Sequence, residues 1–122
     1  MMMKRILIVD DNVFMVEVMT YILNSKGYDV MALYTGNEVF NTIKIEHPDL
    51  VILDLALPDL DGRDICKLLK LNTSTKNLPV ILCSGADDLD DALKLPGAPD
   101  DVLHKPFDIN SLVEKVEYQL AA

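Results

Sequence analysis

The apolar residues of this chain come as short unbroken runs, and each run ends on a polar residue with chemistry of its own. Ile6, Leu7, Ile8 and Val9 lead into Asp10 and Asp11, and Leu50, Val51, Ile52 and Leu53 into Asp54. Val80, Ile81, Leu82 and Cys83 lead into Ser84, and Val102, Leu103 and His104 into Lys105. Continuous rather than alternating apolar runs mark strands covered on both faces, which is the condition of a parallel sheet. The polar residues that close the runs then collect at one edge, the carboxyl ends of the strands.

Strand-like runs near residues 4–9, 29–33, 49–53, 79–82 and 101–104 alternate with amphipathic stretches. Those stretches predict helices over 13–25 closed by Gly27, 38–46 closed before Pro48, 62–71, a weak one near 88–95, and 109–120. Such alternation predicts an α/β fold with a parallel sheet, and five β/α units fit a doubly wound five-stranded sheet of order 2-1-3-4-5, a flavodoxin-like three-layer sandwich. Ligands of such sheets bind where the strand order reverses, between the first and third strands. Asp10, Asp11 and Asp54 close those two strands.

With 122 residues, half of them apolar, the chain is long enough for one domain with a real core. Eleven basic against twenty acidic residues give a net charge of −9, which repels phosphate backbones and anionic lipid alike. No direct nucleic-acid or membrane contact is therefore expected. No segment approaches a membrane span, and only four apolar residues separate Lys4 and Arg5 from Asp10, so a cytoplasmic address is expected. Cys66 and Cys83 lack metal-ligand or disulfide-framework spacing and read as small buried thiols. His47 and His104 are too scattered for a metal site or triad, and no dinucleotide or Walker A glycine motif is present.

Three carboxylates gathered within a few ångströms repel by roughly 4 kcal/mol per close pair at a surface-like dielectric. A hard divalent cation compensates them, and Mg²⁺ favours one or two carboxylates, waters and a phosphate oxygen. Lys105 supplies a further positive charge. With those charges in place Asp54 can act as a carboxylate nucleophile toward phosphorus, and Ser84 can donate a hydroxyl hydrogen bond to a phosphoryl oxygen. A flavodoxin would need a hydroxyl- and amide-rich cradle where this chain places two acids.

Val9-Asp10-Asp11, Leu57-Pro58-Asp59-Leu60-Asp61-Gly62 and Lys105-Pro106-Phe107, taken with Asp54 and Ser84, make the chain resemble a response-regulator receiver domain over its whole length. The resemblance implies a two-component phosphorelay. A histidine kinase or histidine phosphotransfer protein would offer phosphohistidine, and Asp54 would become 4-aspartylphosphate. Mg²⁺, with Mn²⁺ as its substitute, would be bound directly by Asp11, through water by Asp10, and by Asp54 and the backbone carbonyl of Ala56. Lys105 would contact the phosphoryl group, Ser84 would swing toward it, and the Lys105–Pro106 bond would be cis. Such a domain is a signalling phosphoprotein that catalyses its own phosphorylation and dephosphorylation, not an enzyme with a separate substrate, and it acts on a downstream protein. Residues 1–122 read as a single receiver with no output domain.

Two features depart from that pattern. The family commonly places an aromatic residue three positions before the lysine, whereas this chain has Val102, too short and stiff for an aromatic switch. The 87–101 segment carries six aspartates, two prolines and a glycine around a short helix. The loop 84–91 and that helix are accordingly expected to carry the conformational signal. The same features favour the alternative, a phosphorylation-independent pseudo-receiver acting as a docking module. On the first helix Met15, Val18, Met19 and Ile22 share one face expected to enter the core, leaving Phe14 and Val16 as an exposed patch beside Asp11 for a phosphotransfer partner.

Overall fold

The computed structural model describes residues 3–85 and 89–121. The chain runs β1 (Arg5–Val9), α1 (Val13–Ser25), β2 (Asp29–Leu33), α2 (Val39–Glu46), β3 (Leu50–Asp54), α3 (Gly62–Leu71), β4 (Val80–Ser84), a short 3₁₀ helix (Leu89–Lys94), β5 (Asp101–His104) and α4 (Ile109–Leu120). Its five strands form one parallel sheet of order β2-β1-β3-β4-β5. The switch point thus lies between β1 and β3, as the sequence predicts.

Strand side chains alternate between two cores. Ile6, Ile8, Leu50, Ile52, Ile81 and Leu103 face α1 and α4, where Met19, Leu23, Leu112 and Val116 meet them. Leu7, Val9, Val51, Leu53, Leu82 and Val102 face the other layer, built from α2, α3 and the 3₁₀ helix. With helices on both sides no strand of the middle can expose a face, which accounts for the unbroken apolar runs. Helix ends follow the local chemistry: Asn12, Asp61 and Asp108 each accept a first-turn amide, at 3.1, 2.8 and 2.6 Å. α2 stops at His47, which takes a left-handed φ of 50° just before Pro48.

Three expectations need correction. β3 and β4 extend through Asp54 and Ser84 instead of stopping at 53 and 82. Ladder bonds join backbone groups whatever the side chain, so they continue past the change in hydropathy; Leu55 N–H donates to the Cys83 carbonyl at 2.9 Å and Lys105 N–H to the Ser84 carbonyl at 2.8 Å. Val16 is buried in the core with Met19, Ile22 and Leu23, while Met15 and Val18 are only partly buried. Positions 13–16 of α1 are all apolar, so periodicity alone does not fix the inward face, and the sheet selects a stripe that contains Val16. The helix expected over 88–95 is a 3₁₀ turn over Leu89–Lys94; Ala86, Asp87 and Asp88 lie outside the described residues.

Candidate functional site

Four strand ends bring the polar residues together. Asp10 follows β1, its N–H donating to the Leu33 carbonyl of β2 at 3.0 Å. One carboxylate oxygen of Asp10 accepts the Asn12 amide at 2.9 Å, and the other accepts Lys105 Nζ at 2.7 Å. The same ammonium donates to Asp54 Oδ1 at 3.2 Å. Lys105 therefore bridges two carboxylates that are themselves nearly inaccessible, Asp10 at 2 % and Asp54 at 6 % exposure. Asp11 is exposed, yet one oxygen from each of Asp10, Asp11 and Asp54 lies within 4.8 Å of the others. Ser84 is buried at the end of β4, beside His104 in the ladder register. The Lys105–Pro106 peptide is cis.

The site's charge is unbalanced toward the negative. Burial raises the Asp54 carboxyl above its ordinary value, the neighbouring Asp10 charge raises it further, and Lys105 only partly opposes this. Burial pulls the Lys105 ammonium down, but its hydrogen bond to Asp10 and the charges of Asp10 and Asp54 more than restore it, so it is held above the usual lysine value. One ammonium faces three carboxylates. That donor set, all hard oxygen, fits a divalent cation such as Mg²⁺.

The loop after Asp54 is shaped by residues that motif reading alone does not explain. Ala56 forms an antiparallel bridge with Asp61, and the Gly62 amide donates to the Leu55 carbonyl at 2.8 Å. A Cβ on Gly62 would collide with the Asp54 carbonyl oxygen and stand 2.7 Å from Leu55 Cα. Glycine is thus what lets α3 start against the backbone of Asp54. Asp59, at the loop tip, accepts the amides of Gly36 and Asn37 at 2.8 and 2.9 Å. Only the close packing of two loops reveals that role, and sequence spacing carries no sign of it. Of the two expected docking residues Phe14 is 74 % exposed, whereas Val16 lies in the core.

The sequence model of the response regulator receiver domain matches residues 6–117. The chain belongs to that family. This receiver is 33 % identical over 120 residues to the DNA-binding response regulator MtrA of Mycolicibacterium paratuberculosis, a match covering 98 % of the chain and 52 % of the relative. It spans about half the length of such relatives. Among solved structures, a CheY-like response regulator receiver domain protein of Methanospirillum hungatei superposes with a TM-score of 0.89 at 28 % identity, over 98 % of this receiver and 95 % of that chain. The signal receiver domain of a signal transduction histidine kinase from Syntrophus aciditrophicus gives 0.88 at 31 % identity, over 97 % and 90 %. DNA binding is a property named for the MtrA relatives, so the expectation of no nucleic-acid contact is confined to this receiver domain with its charge of −9. Among the described residues, no helix is long and apolar enough to cross a membrane.

Proposed function

We propose that this receiver takes a phosphoryl group onto Asp54 from a phosphohistidine of a histidine kinase or histidine phosphotransfer protein, and signals to a downstream protein by a change of conformation. The observation that carries the reading is the Lys105 ammonium spanning Asp10 and Asp54 within a three-carboxylate cluster. An Asp54 oxygen attacks phosphorus, the phosphorus–nitrogen bond breaks, and the donor imidazole leaves with the electron pair and takes a proton from solvent. Asp54 needs no general base, because it is already a carboxylate once its charge is balanced. Lys105 then exchanges its longer bond, the one to Asp54, for a phosphoryl oxygen while the bond to Asp10 keeps the ammonium at the site. Ser84, one strand away, donates its hydroxyl to another phosphoryl oxygen. Asp10, Asp11, Asp54 and the Ala56 carbonyl would hold Mg²⁺, or Mn²⁺ in its place. When bound, the ion neutralises the phosphoryl oxygens and relieves the carboxylate repulsion. A cytoplasmic address is proposed for the receiver, where a phosphohistidine donor would meet it.

Incubation with acetyl phosphate, with and without Mg²⁺, followed by intact mass measurement tests the reading. The expected result is one metal-dependent phosphoryl group, absent from Asp54→Asn. Uptake by the Asn variant at the wild-type rate would place the acceptor elsewhere. No uptake by wild type with Mg²⁺ would favour the pseudo-receiver, a docking module independent of phosphorylation. That second reading draws on Val102, buried at 5 % exposure with no aromatic ring to reorient, and on the 3₁₀ turn that stands where a longer helix was expected.

A further inference from the structure

The β3–α3 loop is fastened at both ends. Its base is the Ala56–Asp61 bridge together with the Gly62 amide on the Leu55 carbonyl. Its tip is Asp59, whose two carboxylate oxygens each take a different amide of the β2–α2 loop, Gly36 by Oδ1 and Asn37 by Oδ2. These are charge-assisted bonds, and they join segments 22 and 23 residues apart. The Gly36 amide is the main reason the Asp59 carboxyl lies below its ordinary value, so the clamp is charged at any pH near neutral. On the partner loop a Cβ on Gly36 would stand 2.7 Å from Ile65 Cδ1 and 3.2 Å from Leu60 Cβ, so the two loops approach closely at that glycine.

We propose that Asp59 is a positioning residue that fixes the loop presenting the Ala56 carbonyl to a divalent ion and couples the ion's presence to the β2–α2 loop. This rests on the phosphoacceptor reading above. Asp59 touches neither the phosphoryl group nor the cluster; it acts through the backbone between itself and Ala56. Groups hydrogen-bonded to a metal ligand typically change metal affinity about 10- to 100-fold when removed, because they hold that ligand in place, and Asp59 acts one step further out, through the loop backbone. Coupling is reciprocal, so an ion that favours one position of Ala56 also favours one position of Gly36 and Asn37.

The test is a Mg²⁺ titration of the whole chain by calorimetry and backbone amide NMR. In wild type the Gly36 and Asn37 amides shift along the same binding curve as Asp54. Asp59→Ala weakens Mg²⁺ about tenfold and leaves the Gly36 and Asn37 amides indifferent to the ion. Asp59→Asn, with one acceptor oxygen left, falls between. Thr35→Ala removes the Thr35 hydroxyl bond to the Asn37 side chain, 2.8 Å, but neither clamp bond, and keeps wild-type affinity. Wild-type affinity in Asp59→Ala, or a tenfold loss in Thr35→Ala, would overturn the proposal. Should Asp59→Ala not fold, silent Gly36 and Asn37 amides in wild type or unaltered affinity in Asp59→Asn overturn it equally. Absence of any response at Asp54 in wild type fails the phosphoacceptor reading itself, and the proposal with it.

Discussion

At the residue scale the site is destabilised by the charge that makes it reactive. Asp54 has a folded carboxyl raised above its unfolded value, first by burial and then by Asp10. Its contribution to stability is therefore fully present at pH below the ordinary carboxylate value of 3.8 and is lost as pH rises through the higher folded value. Without metal, Asp54→Asn removes this loss. The variant should be more stable than wild type at pH 7 and should show a flatter stability profile through the acid range. Urea unfolding at several pH values checks both. Saturating Mg²⁺ should reverse the order, since an ion at a hundred times its dissociation constant adds roughly 2.7 kcal/mol to the form that binds it. The two thiols behave oppositely to reactive cysteines. Burial pushes Cys66 and Cys83 each up to about 12, so neither holds appreciable thiolate at pH 8. Iodoacetamide should leave the native protein unlabelled and label both after unfolding.

At the scale of elements, much was legible, and the exceptions share a cause. The ranges of α1, α3, α4, β2 and β5 coincide with those read from sequence, because caps such as Asn12, Asp61 and Asp108 and the stop at Gly27 are local signals. The parallel order and the gathering of Asp10, Asp54, Ser84 and Lys105 at one sheet edge were legible too, since run-ending polar residues mark strand ends whatever the tertiary packing. What sequence does not encode locally is which of several apolar residues turns inward. α1 places Val16 in the core and leaves Phe14 out, a choice made by the side chains of β1 and β3 that it meets. The Asp59 clamp is hidden for the same reason, since its partners lie in another loop. Val16→Ala should cost about 2 kcal/mol in urea unfolding, as for other truncations of buried aliphatic groups. Phe14→Ala should change stability by less than about 0.5 kcal/mol, while slowing phosphoryl transfer from a phosphotransfer protein and leaving transfer from acetyl phosphate unaltered. Equal slowing with both donors would remove Phe14 from the docking surface.

At the scale of the whole molecule the question is which part moves when Asp54 changes state. Val102 sits in the second core against the α3 layer and is too short and too enclosed to signal by a side-chain flip. The strand it belongs to is held at both sides of that position: Lys115 reaches Asp101 at 3.1 Å, and the Lys105 amide is bonded to the Ser84 carbonyl. The 3₁₀ helix is held more lightly. Leu89 and Ala92 anchor it in the core, but its polar tie to β5 is the exposed pair of His104 Nε2 and Asp90 Oδ1, 2.9 Å apart. Exposed pairs of this sort contribute about 0–1 kcal/mol, so the hold on the element rests mainly on Leu89 and Ala92. A ligand biases two states only through contacts that differ between them. Ser84 both closes β4 beside Asp54 and begins the connection to the 3₁₀ helix, which makes it the natural point of entry for such a bias. Addition of beryllium fluoride and Mg²⁺ should therefore shift the amides of Gly85 and of Leu89–Lys94 strongly, with Val102 and α4 changing little. His104→Ala, by loosening the tie to Asp90, should enlarge the shifts in the 3₁₀ helix without changing the affinity for the mimic more than about threefold, the equivalent of the weak pair it removes. Large shifts at Val102 and along α4, with the 3₁₀ helix still, would show that the signal leaves by the last strand after all.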